Sequence, residues 1–324
     1  MRLAAIDCGT HSIRLLISDV NQNGHATDVV RLMEIVGLGE GVDRTGHLSR
    51  AALDRTFAAV ERYVNEIRSH EVERVRMVAT SASRDADNFF EFATGIEARL
   101  GIAPELISGK EEASLGFAGT LSAHTGLEKP VLVVDIGGGS TEFAFGHTAL
   151  EDGISRNMGS TRITERYLRP AEDDRGVPSE AAISEAARFI DSQIRQTAAV
   201  LPICSAREVI GVAGSVTTLT ALELGLKVYD SQRINGAVIP SDRLRQRASA
   251  LIRMPHEEKR ALGPMHPQRV GQIAGGVLIW ERILSYLEQR PVAGGDEPRG
   301  SFPVRTSEND ILDGIILNLA RAEA

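Results

Sequence analysis

The chain has 324 residues, of which 42% are hydrophobic and 25% are charged, and its formal net charge is −8 at pH 7. These values exclude a disordered chain, and the length allows two domains that each bury a core. The negative charge argues against general adhesion to nucleic acid or to anionic membranes, because both carry the same sign of charge. An anionic substrate stays open, since backbone N–H groups and a metal ion can outweigh net charge within a cleft.

The two cysteines, Cys8 and Cys204, have no metal-binding spacing, and we expect them to be reduced packing residues. The N-terminal residues have a strand pattern and meet an acid at Asp7, so we do not expect a signal peptide. No apolar run approaches the roughly 20 residues that span a bilayer. We therefore expect a cytoplasmic protein.

The first part of the sequence predicts alternating strands and helices. Two short apolar strands, 3–7 and 13–20, flank a loop at 9–12, and a third strand follows at 28–38. Ser49 is placed to cap a helix in which apolar residues recur every three or four positions. The next predicted elements are a strand at 74–80, a helix at 86–101, a short strand at 104–108 and a helix at 110–123.

A polar turn ending in Pro130 precedes a second run with the same plan. The predicted strands are 131–136, 141–146, 154–158 and 208–213, and the predicted helices are 162–168, 179–199, 243–252, 270–287 and 311–321, with one more beginning at Gly214. A loop rich in Gly, Pro and charge, 288–304, precedes a last short strand. We infer a duplicated α/β plan with domains at 1–127 and 128–324 and a cleft between them.

Two loops of the same design end the first strand of each half. "LAAIDCGTHS" and "VVDIGGGSTE" place an Asp-x-Gly motif 128 positions apart, each followed by hydroxyl side chains. Glycines after a strand let backbone N–H groups approach a phosphate, and two such loops facing each other could hold one phosphoryl group. A tight hairpin that needs positive φ at glycine is the structural alternative. The candidate phosphate-binding residues are Gly9, Thr10, His11, Ser12, Gly137, Gly138, Gly139, Ser140 and Thr141.

The second loop is bracketed by two acids, Asp135 and Glu142. A hairpin requires neither, whereas two carboxylates beside a phosphate loop suggest divalent metal binding through oxygen ligands, most plausibly Mg²⁺. The sequence has no His and Cys cluster that would favour zinc.

Two further segments are candidates for the same chemistry. In "GVAGSVTTL", Gly214 and Ser215 open a helix after a strand, which favours an anion site, although ordinary capping by Ser215 or Thr217 explains the pattern equally well. In "ISGKEEASL", Glu111 and Glu112 lie early in a helix. One of them is a candidate base for activating water, but acids in a first helical turn more often only complement the helix dipole.

Five blocks, taken in order, resemble the signature blocks of the exopolyphosphatase/guanosine pentaphosphate phosphatase family. They are "LAAIDCGTHSIRLLI", "VRMVATSASRDADN", "ISGKEEASLGFAG", "VVDIGGGSTEF" and "GVAGSVTTL". The C-terminal "ALGPMHPQRVGQIAGGVLIWERIL" and "SENDILDGI" look like the short, two-domain actinobacterial exopolyphosphatases. The resemblance implies an actin-like ATPase fold, with two ribonuclease-H-like domains around an active-site cleft.

The resemblance also implies roles for individual residues. It makes Glu112 the general base, Asp135 and Glu142 ligands of a metal or of its bound water, and Asp7 a ligand of the same centre from the opposite domain. Arg84 matches a family arginine that holds substrate phosphate. The cofactor implied is Mg²⁺, with Mn²⁺ as the alternative.

One position departs from the family pattern. His11 stands where the family usually has Asn between two hydroxyl residues. Backbone donation is unaffected, but a side-chain contact here is in doubt because His can be neutral or charged near pH 7.

The function expected from these observations is Mg²⁺-dependent release of terminal phosphate from inorganic polyphosphate. The first alternative is 5′-phosphohydrolysis of guanosine pentaphosphate (pppGpp) at the same centre. A phosphotransferase of the same fold and a non-catalytic polyphosphate or alarmone sensor are further alternatives. No nucleic-acid or membrane partner is expected, and the predicted helix 270–287 is a candidate homodimer face, although an amphipathic helix is more often core.

Overall fold

The computed structural model describes residues 1–321, which form two compact units. The first unit combines residues 1–122 with residues 310–321, and the second comprises Ala123–Asn309. Each unit contains its own sheet and hydrophobic core. Within the described residues, no helix is both long and apolar enough to cross a membrane.

The first unit begins with three strands and then alternates helices and strands. Its elements are β1 (Arg2–Cys8), β2 (Ser12–Val20), β3 (Ala26–Ile35), α1 (Val42–Thr45), α2 (Arg50–Ser69), β4 (Arg74–Ala79), α3 (Ser81–Arg84), α4 (Phe89–Leu100), β5 (Glu105–Leu106) and α5 (Gly109–Ser122). The Ser49 hydroxyl accepts a hydrogen bond from the Ala52 N–H at 3.2 Å, so the predicted cap of α2 is confirmed.

Among the described residues, the first unit holds a five-stranded sheet in the order β3-β2-β1-β4-β5. β1 pairs antiparallel with β2 and parallel with β4, and β4 is parallel to β5. The carboxyl ends of β1, β4 and β5 therefore lie at one edge of the sheet. We call this edge, with the residues that follow Cys8, Ala79 and Leu106, the first carboxyl edge.

Both faces of this sheet are buried. Along β1, Ala4 and Ile6 contribute to the core that contains α2 and α4, while Leu3 and Ala5 contribute to a second cluster. This alternation follows from the two-residue period of a strand. The second cluster contains the final helix of the chain, α13 (Ile311–Arg321).

Helix α13 belongs to the first unit, whereas the sequence predicts it in a second domain at 128–324. Its apolar face packs against α5 and β1, and the helices approach closely at two glycines. A Cβ atom on Gly119 would lie 1.9 Å from the Asp310 carbonyl oxygen, and one on Gly314 would lie 2.0 Å from the Leu115 carbonyl oxygen. Only glycine permits this contact, which holds the end of the chain on the first unit.

The second unit repeats the plan with additions. Its elements are β6 (Val131–Ile136), β7 (Thr141–Gly146), β8 (Leu150–Arg156), α6 (Ser160–Ile163), α7 (Glu180–Ala198), β9 (Glu208–Val212), α8 (Gly214–Glu223), α9 (Ser231–Ile234), β10 (Val238–Pro240), α10 (Ser241–Ile252), α11 (His256–Ala261), α12 (Ile273–Glu288) and β11 (Pro303–Thr306). The described part of its sheet has the order β10-β11-β9-β6-β7-β8. β6 is antiparallel to β7 and parallel to β9. Read from β8, this order repeats that of the first sheet, which confirms the duplicated α/β plan.

Several predicted elements differ in detail. β8 begins four residues before the predicted 154–158, and the predicted helix 162–168 is α6 continued by a π-helical segment, Thr164–Leu168. The elements that were not predicted are short ones, α1, α3, α9, α11 and β10, which offer too few residues for a periodic pattern. Helix α12 is core, because residues such as Val277, Trp280 and Leu284 are buried, so the candidate dimer face is not available on it.

The second unit contains a buried amine. The Lys259 side chain on α11 is completely buried, and its Nζ has no hydrogen-bond partner among the described residues. Burial lowers the pKa of Lys259 to about 8, although the nearby Glu172 carboxylate opposes this shift. The folded protein therefore loses the Lys259 proton at a lower pH than the unfolded chain, in which the lysine has its ordinary pKa.

Replacing Lys259 with Met is expected to raise the free energy of unfolding by about 1–3 kcal/mol near pH 7, because an unpaired buried amine is removed. Below pH 8 both states of the parent are protonated and the cost of burial is complete. As pH rises from about 8 towards 10.5 the folded amine loses its proton first, so the parent should gain stability and the difference should shrink. Chemical denaturation of both proteins at pH 7 and pH 9.5 measures this, with the exposed Lys227→Met as control. A Lys259→Met protein less stable than the parent at pH 7 would contradict the expectation.

Candidate active site

The first Asp-x-Gly loop lies at the first carboxyl edge and forms a tight turn. The Gly9 N–H donates to the Ser12 carbonyl oxygen at 3.0 Å. The Thr10 hydroxyl lies 2.8 Å from the Ser81 hydroxyl at the start of α3, and the Thr80 N–H donates to the Cys8 carbonyl oxygen. The His11 carbonyl oxygen accepts from two N–H groups of the segment after β3, those of Val36 and Gly37. These bonds fix the loop against β4 and the chain after β3.

Asp7 is buried at the end of β1, where its carboxylate contacts Arg14 on β2. Arg14 Nη2 and Nε donate to Asp7 Oδ2 at 2.6 and 3.1 Å, and Arg14 Nη1 donates to Asp310. Burial raises the pKa of Asp7, while the guanidinium opposes this shift. Asp7 Oδ1 is buried and has no partner within residues 1–321, which leaves one oxygen available to a ligand.

Arg84 and Glu112 meet at the same edge, although 28 positions separate them. Arg84 ends α3, which follows β4, and Glu112 lies in the first turn of α5, which follows β5. Arg84 Nη1 donates to Glu112 Oε2 at 2.8 Å and to the Ile107 carbonyl oxygen at 3.0 Å. Only 12% of the Glu112 side chain is exposed. The guanidinium thus holds a mostly buried carboxylate in one orientation. By contrast, Glu111 is exposed and pairs with Arg76 at 2.9 Å.

The second Asp-x-Gly loop repeats the turn of the first. The Gly137 N–H donates to the Ser140 carbonyl oxygen at 3.1 Å, as Gly9 does to Ser12. The carbonyl oxygens of Gly137 and Gly138 accept from the first N–H groups of α6, and that of Gly139 accepts from Arg162. Because a peptide N–H points away from its carbonyl, the N–H groups of this loop face the opposite side. In the described chain, neither the Gly138 nor the Gly139 N–H has an acceptor, as expected of an anion site.

The acids of the second loop are direct neighbours across the β6–β7 pair. Asp135 is opposite Glu142 in the register, so their Cβ atoms are about 4.5–5.5 Å apart. Glu142 is 3% exposed, and the Ser155 hydroxyl donates to its Oε1 at 2.6 Å. Two carboxylates that face each other across a sheet repel, and paired carboxylate oxygens of this kind are suited to bind a divalent cation. This pair is therefore a candidate cation site.

The second loop packs directly against Gly159, which has no side chain to displace it. A Cβ atom here would lie 2.3 Å from the Gly138 carbonyl group and 2.4 Å from the Gly139 nitrogen. The φ of Gly159 is −116°, a value that any residue adopts, so space rather than backbone conformation requires glycine.

Gly159→Ala is expected to displace the 137–140 turn and to lower phosphate release by roughly tenfold or more, because misplacement of about 1 Å can cost a hundredfold. The fold should persist, at a cost of about 1–3 kcal/mol. Phosphate release and circular dichroism measure the two effects. Gly271→Ala is the matched control, since its Cβ atom would meet nothing closer than Arg169 at 3.8 Å. Unchanged activity in Gly159→Ala would remove the 137–140 turn from the site.

The third loop lies beside the second at the carboxyl edge of the second sheet. β9 is parallel to β6, Val212 is the neighbour of Asp135, and α8 begins at Gly214. Ala213 between them has φ 67° and ψ 169°, a positive-φ conformation that costs energy for a residue other than glycine. Arg269 donates to the Gly214 carbonyl oxygen and, at 2.9 Å, to the Thr218 hydroxyl. A cation therefore lies beside the helix start.

The structure brings the predicted site residues into two groups, one in each unit. The group at the first carboxyl edge contains Asp7, the 9–12 loop, Arg84 and Glu112. The group at the carboxyl ends of β6 and β9 in the second sheet contains Asp135, Glu142, the 137–140 loop, Gly214 and Ser215. The sequence predicts Thr141 as a phosphate-binding residue, and the structure contradicts this prediction for its side chain. It is buried in β7 and its hydroxyl donates to the Met158 carbonyl oxygen, so this donor is not directed at a ligand.

Sequence reasoning missed three charged residues of these groups, Arg14, Arg269 and Asp310. For Arg14 a signal existed, because the 128-position offset that relates Asp7 to Asp135 also relates Arg14 to Glu142. The register confirms the equivalence, since Asp7 is opposite Arg14 as Asp135 is opposite Glu142. The two strand pairs thus differ in charge. Asp7 is opposite Arg14 in the first unit, whereas Asp135 is opposite a second carboxylate, Glu142, in the second unit.

The carboxylates in each unit are of the kind that a hard divalent cation binds. In the first unit, Asp7 Oδ1 is buried and has no hydrogen-bond partner within residues 1–321. In the second unit, the Asp135 and Glu142 carboxylates are neighbours across the β6–β7 pair. In residues 1–321, no three or more His, Cys, Asp and Glu side chains form a group able to hold a metal alone. Carboxylate oxygens are ligands that Mg²⁺ takes in proteins, usually alongside several waters and substrate phosphates.

Comparison with known proteins identifies the family. The model of the Ppx/GppA phosphatase family matches residues 16–296. The chain belongs to this family.

Exopolyphosphatase 2 of Mycobacterium tuberculosis is 40% identical over 327 residues, which cover 98% of each chain. A crystal structure described as an exopolyphosphatase-like protein matches with a TM-score of 0.94 at 38% identity, covering 100% of this chain and 99% of the other. The Aquifex aeolicus Ppx/GppA family member has a TM-score of 0.79 at 26% identity, covering 100% and 98%.

Membership of the Ppx/GppA family confirms the resemblance carried by the sequence blocks. The α/β class and the actin-like ATPase fold expected for the family are confirmed by the match to Ppx/GppA structures and by the repeated sheet order. The Ppx/GppA model covers Arg84, Glu112 and the second and third loops, while the first loop precedes residue 16. The roles of the individual residues stay predictions.

Proposed function

We propose that the chain is an exopolyphosphatase, which releases terminal phosphate from inorganic polyphosphate by direct attack of water. The observation that carries the proposal is the Arg84–Glu112 pair at the first carboxyl edge, where Asp7 and its phosphate loop also lie. A mostly buried carboxylate held in one orientation beside an anion site is suited to act as a general base. The name of the Mycobacterium tuberculosis relative, Exopolyphosphatase 2, supports the substrate class.

In the proposed reaction, Glu112 accepts a proton from water while the water oxygen bonds to the terminal phosphorus. The bond from that phosphorus to the bridging oxygen breaks, and the electron pair leaves with the shortened chain. The Gly138 and Gly139 N–H groups, together with those of the 9–12 loop, would stabilise charge on the transferring group. A phosphoenzyme is not expected, since no nucleophilic Ser or Cys with a base partner was identified in the sequence.

The residues that would hold the divalent cation are Asp7, Asp135 and Glu142, with Mg²⁺ as the proposed ion and Mn²⁺ as the alternative. When bound, the ion would neutralise charge on the phosphates. The prediction that both loops serve a single phosphoryl group comes from the sequence and remains a prediction.

A phosphate-release assay tests the proposal with a panel of substrates. Polyphosphates of several lengths, guanosine pentaphosphate and ATP with a sugar acceptor are compared in Mg²⁺ and then in chelator. We expect release from polyphosphate that chelator abolishes. Phosphate transfer to the acceptor would favour a phosphotransferase, and tight polyphosphate binding without release would favour a sensor.

One observation favours guanosine pentaphosphate as a second substrate. An open surface cavity of about 500 Å³ is lined by residues 226–233, most of them polar or charged, together with Val228, which is 73% exposed, and Tyr229. The Tyr229 hydroxyl lies 2.7 Å from that of Thr217 in α8, so the cavity adjoins the third loop. Polyphosphate has no apolar surface to bury here, whereas a nucleoside has. If the cavity serves this substrate, Val228→Ser should weaken guanosine pentaphosphate hydrolysis selectively.

A further inference from the structure

Asp310 lies at the start of the last helix and is linked to the first phosphate loop through one guanidinium. Its Oδ1 accepts from the Leu312 N–H at 3.1 Å, which caps α13, and its Oδ2 pairs with Arg14 Nη1. Arg14 uses Nε and Nη2 for Asp7 Oδ2. The Asp7 and Asp310 side chains are 7% and 5% exposed. Two buried carboxylates therefore share the donors of a single arginine.

We propose that Asp310 is a positioning residue that orients Asp7 through Arg14. A guanidinium is a rigid planar fork, so bonds on two of its sides fix its plane as well as its position. The fixed fork binds Asp7 Oδ2 with two donors, and this directs Asp7 Oδ1, which has no partner in the described chain, towards the site. The inference rests on the proposed function in one respect, the assignment of a divalent cation to Asp7.

The shared arginine also sets the local charge. With Asp310 present, the positive charge of Arg14 is divided between two carboxylates, and Asp7 keeps more of its attraction for a cation. Without it, Arg14 is free to turn and to neutralise Asp7 alone. Cation affinity at Asp7 should then fall.

The test replaces Asp310 with Asn, which keeps an oxygen for the Leu312 N–H but loses the charge. The matched control is Asp313→Asn, because Asp313 is on the same helix but pairs with Arg31 at 2.6 Å. The Asp310 N–H donates to Asp313 Oδ2 at 2.9 Å, and asparagine keeps an oxygen for this bond. Thermal unfolding is followed during Mg²⁺ titration without substrate. We expect Asp310→Asn to need about tenfold more Mg²⁺ than the parent for the same rise in Tm, and Asp313→Asn to stay within a factor of two of the parent.

A double-mutant cycle separates positioning from a general structural effect. If Asp310 acts through Arg14, adding Asp310→Asn to Arg14→Gln should change the Mg²⁺ requirement no further. Arg14→Lys, which keeps the charge but lacks the rigid planar fork, should reproduce the rise, and it serves as the test if Asp310→Asn does not fold.

Three outcomes would overturn the inference: additive effects in the cycle, equal shifts in Asp310→Asn and Asp313→Asn, or no Mg²⁺-dependent stabilisation of the parent. Polyphosphate hydrolysis by the parent is measured separately. A hydrolytically active parent with unaltered Mg²⁺ response in Asp310→Asn would refute the role of Asp310 and leave the proposed function intact.

Discussion

Glu112→Gln is expected to lower the turnover of polyphosphate hydrolysis by about 10²–10⁴-fold, the range that general-base catalysis contributes. Glutamine has the shape of glutamate and keeps an oxygen for the Arg84 donor, which lies 2.8 Å from Glu112 Oε2 in the parent. Polyphosphate binding should therefore persist while proton abstraction is lost. Single-turnover phosphate release measures the first effect, and calorimetric titration with polyphosphate measures the second.

The control for this result is the adjacent residue. Glu111→Gln makes the same chemical change one position earlier, on an exposed side chain that pairs with Arg76 rather than Arg84. Its turnover should stay within about twofold of the parent. If Glu112→Gln and Glu111→Gln behaved alike, Glu112 would not be the base.

Asp135→Asn is expected to move stability and activity in opposite directions. The substitution removes one of two carboxylates that face each other across β6 and β7. Without Mg²⁺, the free energy of unfolding should therefore rise by up to about 1 kcal/mol. Hydrolysis in Mg²⁺ should fall by roughly a hundredfold or more, because a metal ion contributes several kcal/mol to stabilising charge in the transition state. Thermal unfolding with and without Mg²⁺, alongside phosphate release, measures both changes.

The matched control is Asp152→Asn, a carboxylate on the neighbouring strand β8 that is exposed and lies opposite Phe145. Neither stability nor hydrolysis should change appreciably. A decrease in the stability of metal-free Asp135→Asn would mean that the contacts of the Asp135 carboxylate within the protein outweigh its repulsion from Glu142, and the cation site would have to be placed elsewhere.

Local features of the site could be predicted from the sequence because each depends on a few consecutive residues. The turns at Gly9 and Gly137 follow from a strand that ends in Asp-x-Gly, and their hydrogen bonds are alike in the structure. Glu112 was placed in a first helical turn, and Ser49 at a cap, on the same kind of evidence. These local features can be predicted without knowing which other segments of the chain pack against them.

Contacts between distant segments could not be predicted in this way. The Arg84–Glu112 pair exists because β4 and β5 are parallel neighbours, and β5 has only two residues in the sheet. Arg269 reaches Gly214 across 55 positions. The place of α13 depends on a close approach at Gly119 and Gly314, which the apolar pattern of the helix does not reveal. That pattern predicts an amphipathic helix but not which sheet it will cover.

The assignment of α13 to the first unit has a consequence for biosynthesis. A ribosome makes residues 1–122 first, then all of Ala123–Asn309, and only afterwards the helix that covers Leu3, Ala5 and Leu16. Domains usually fold as they emerge, N-terminal first. Here part of one apolar sheet face of the nascent first unit stays uncovered until residues 310–321 have been made.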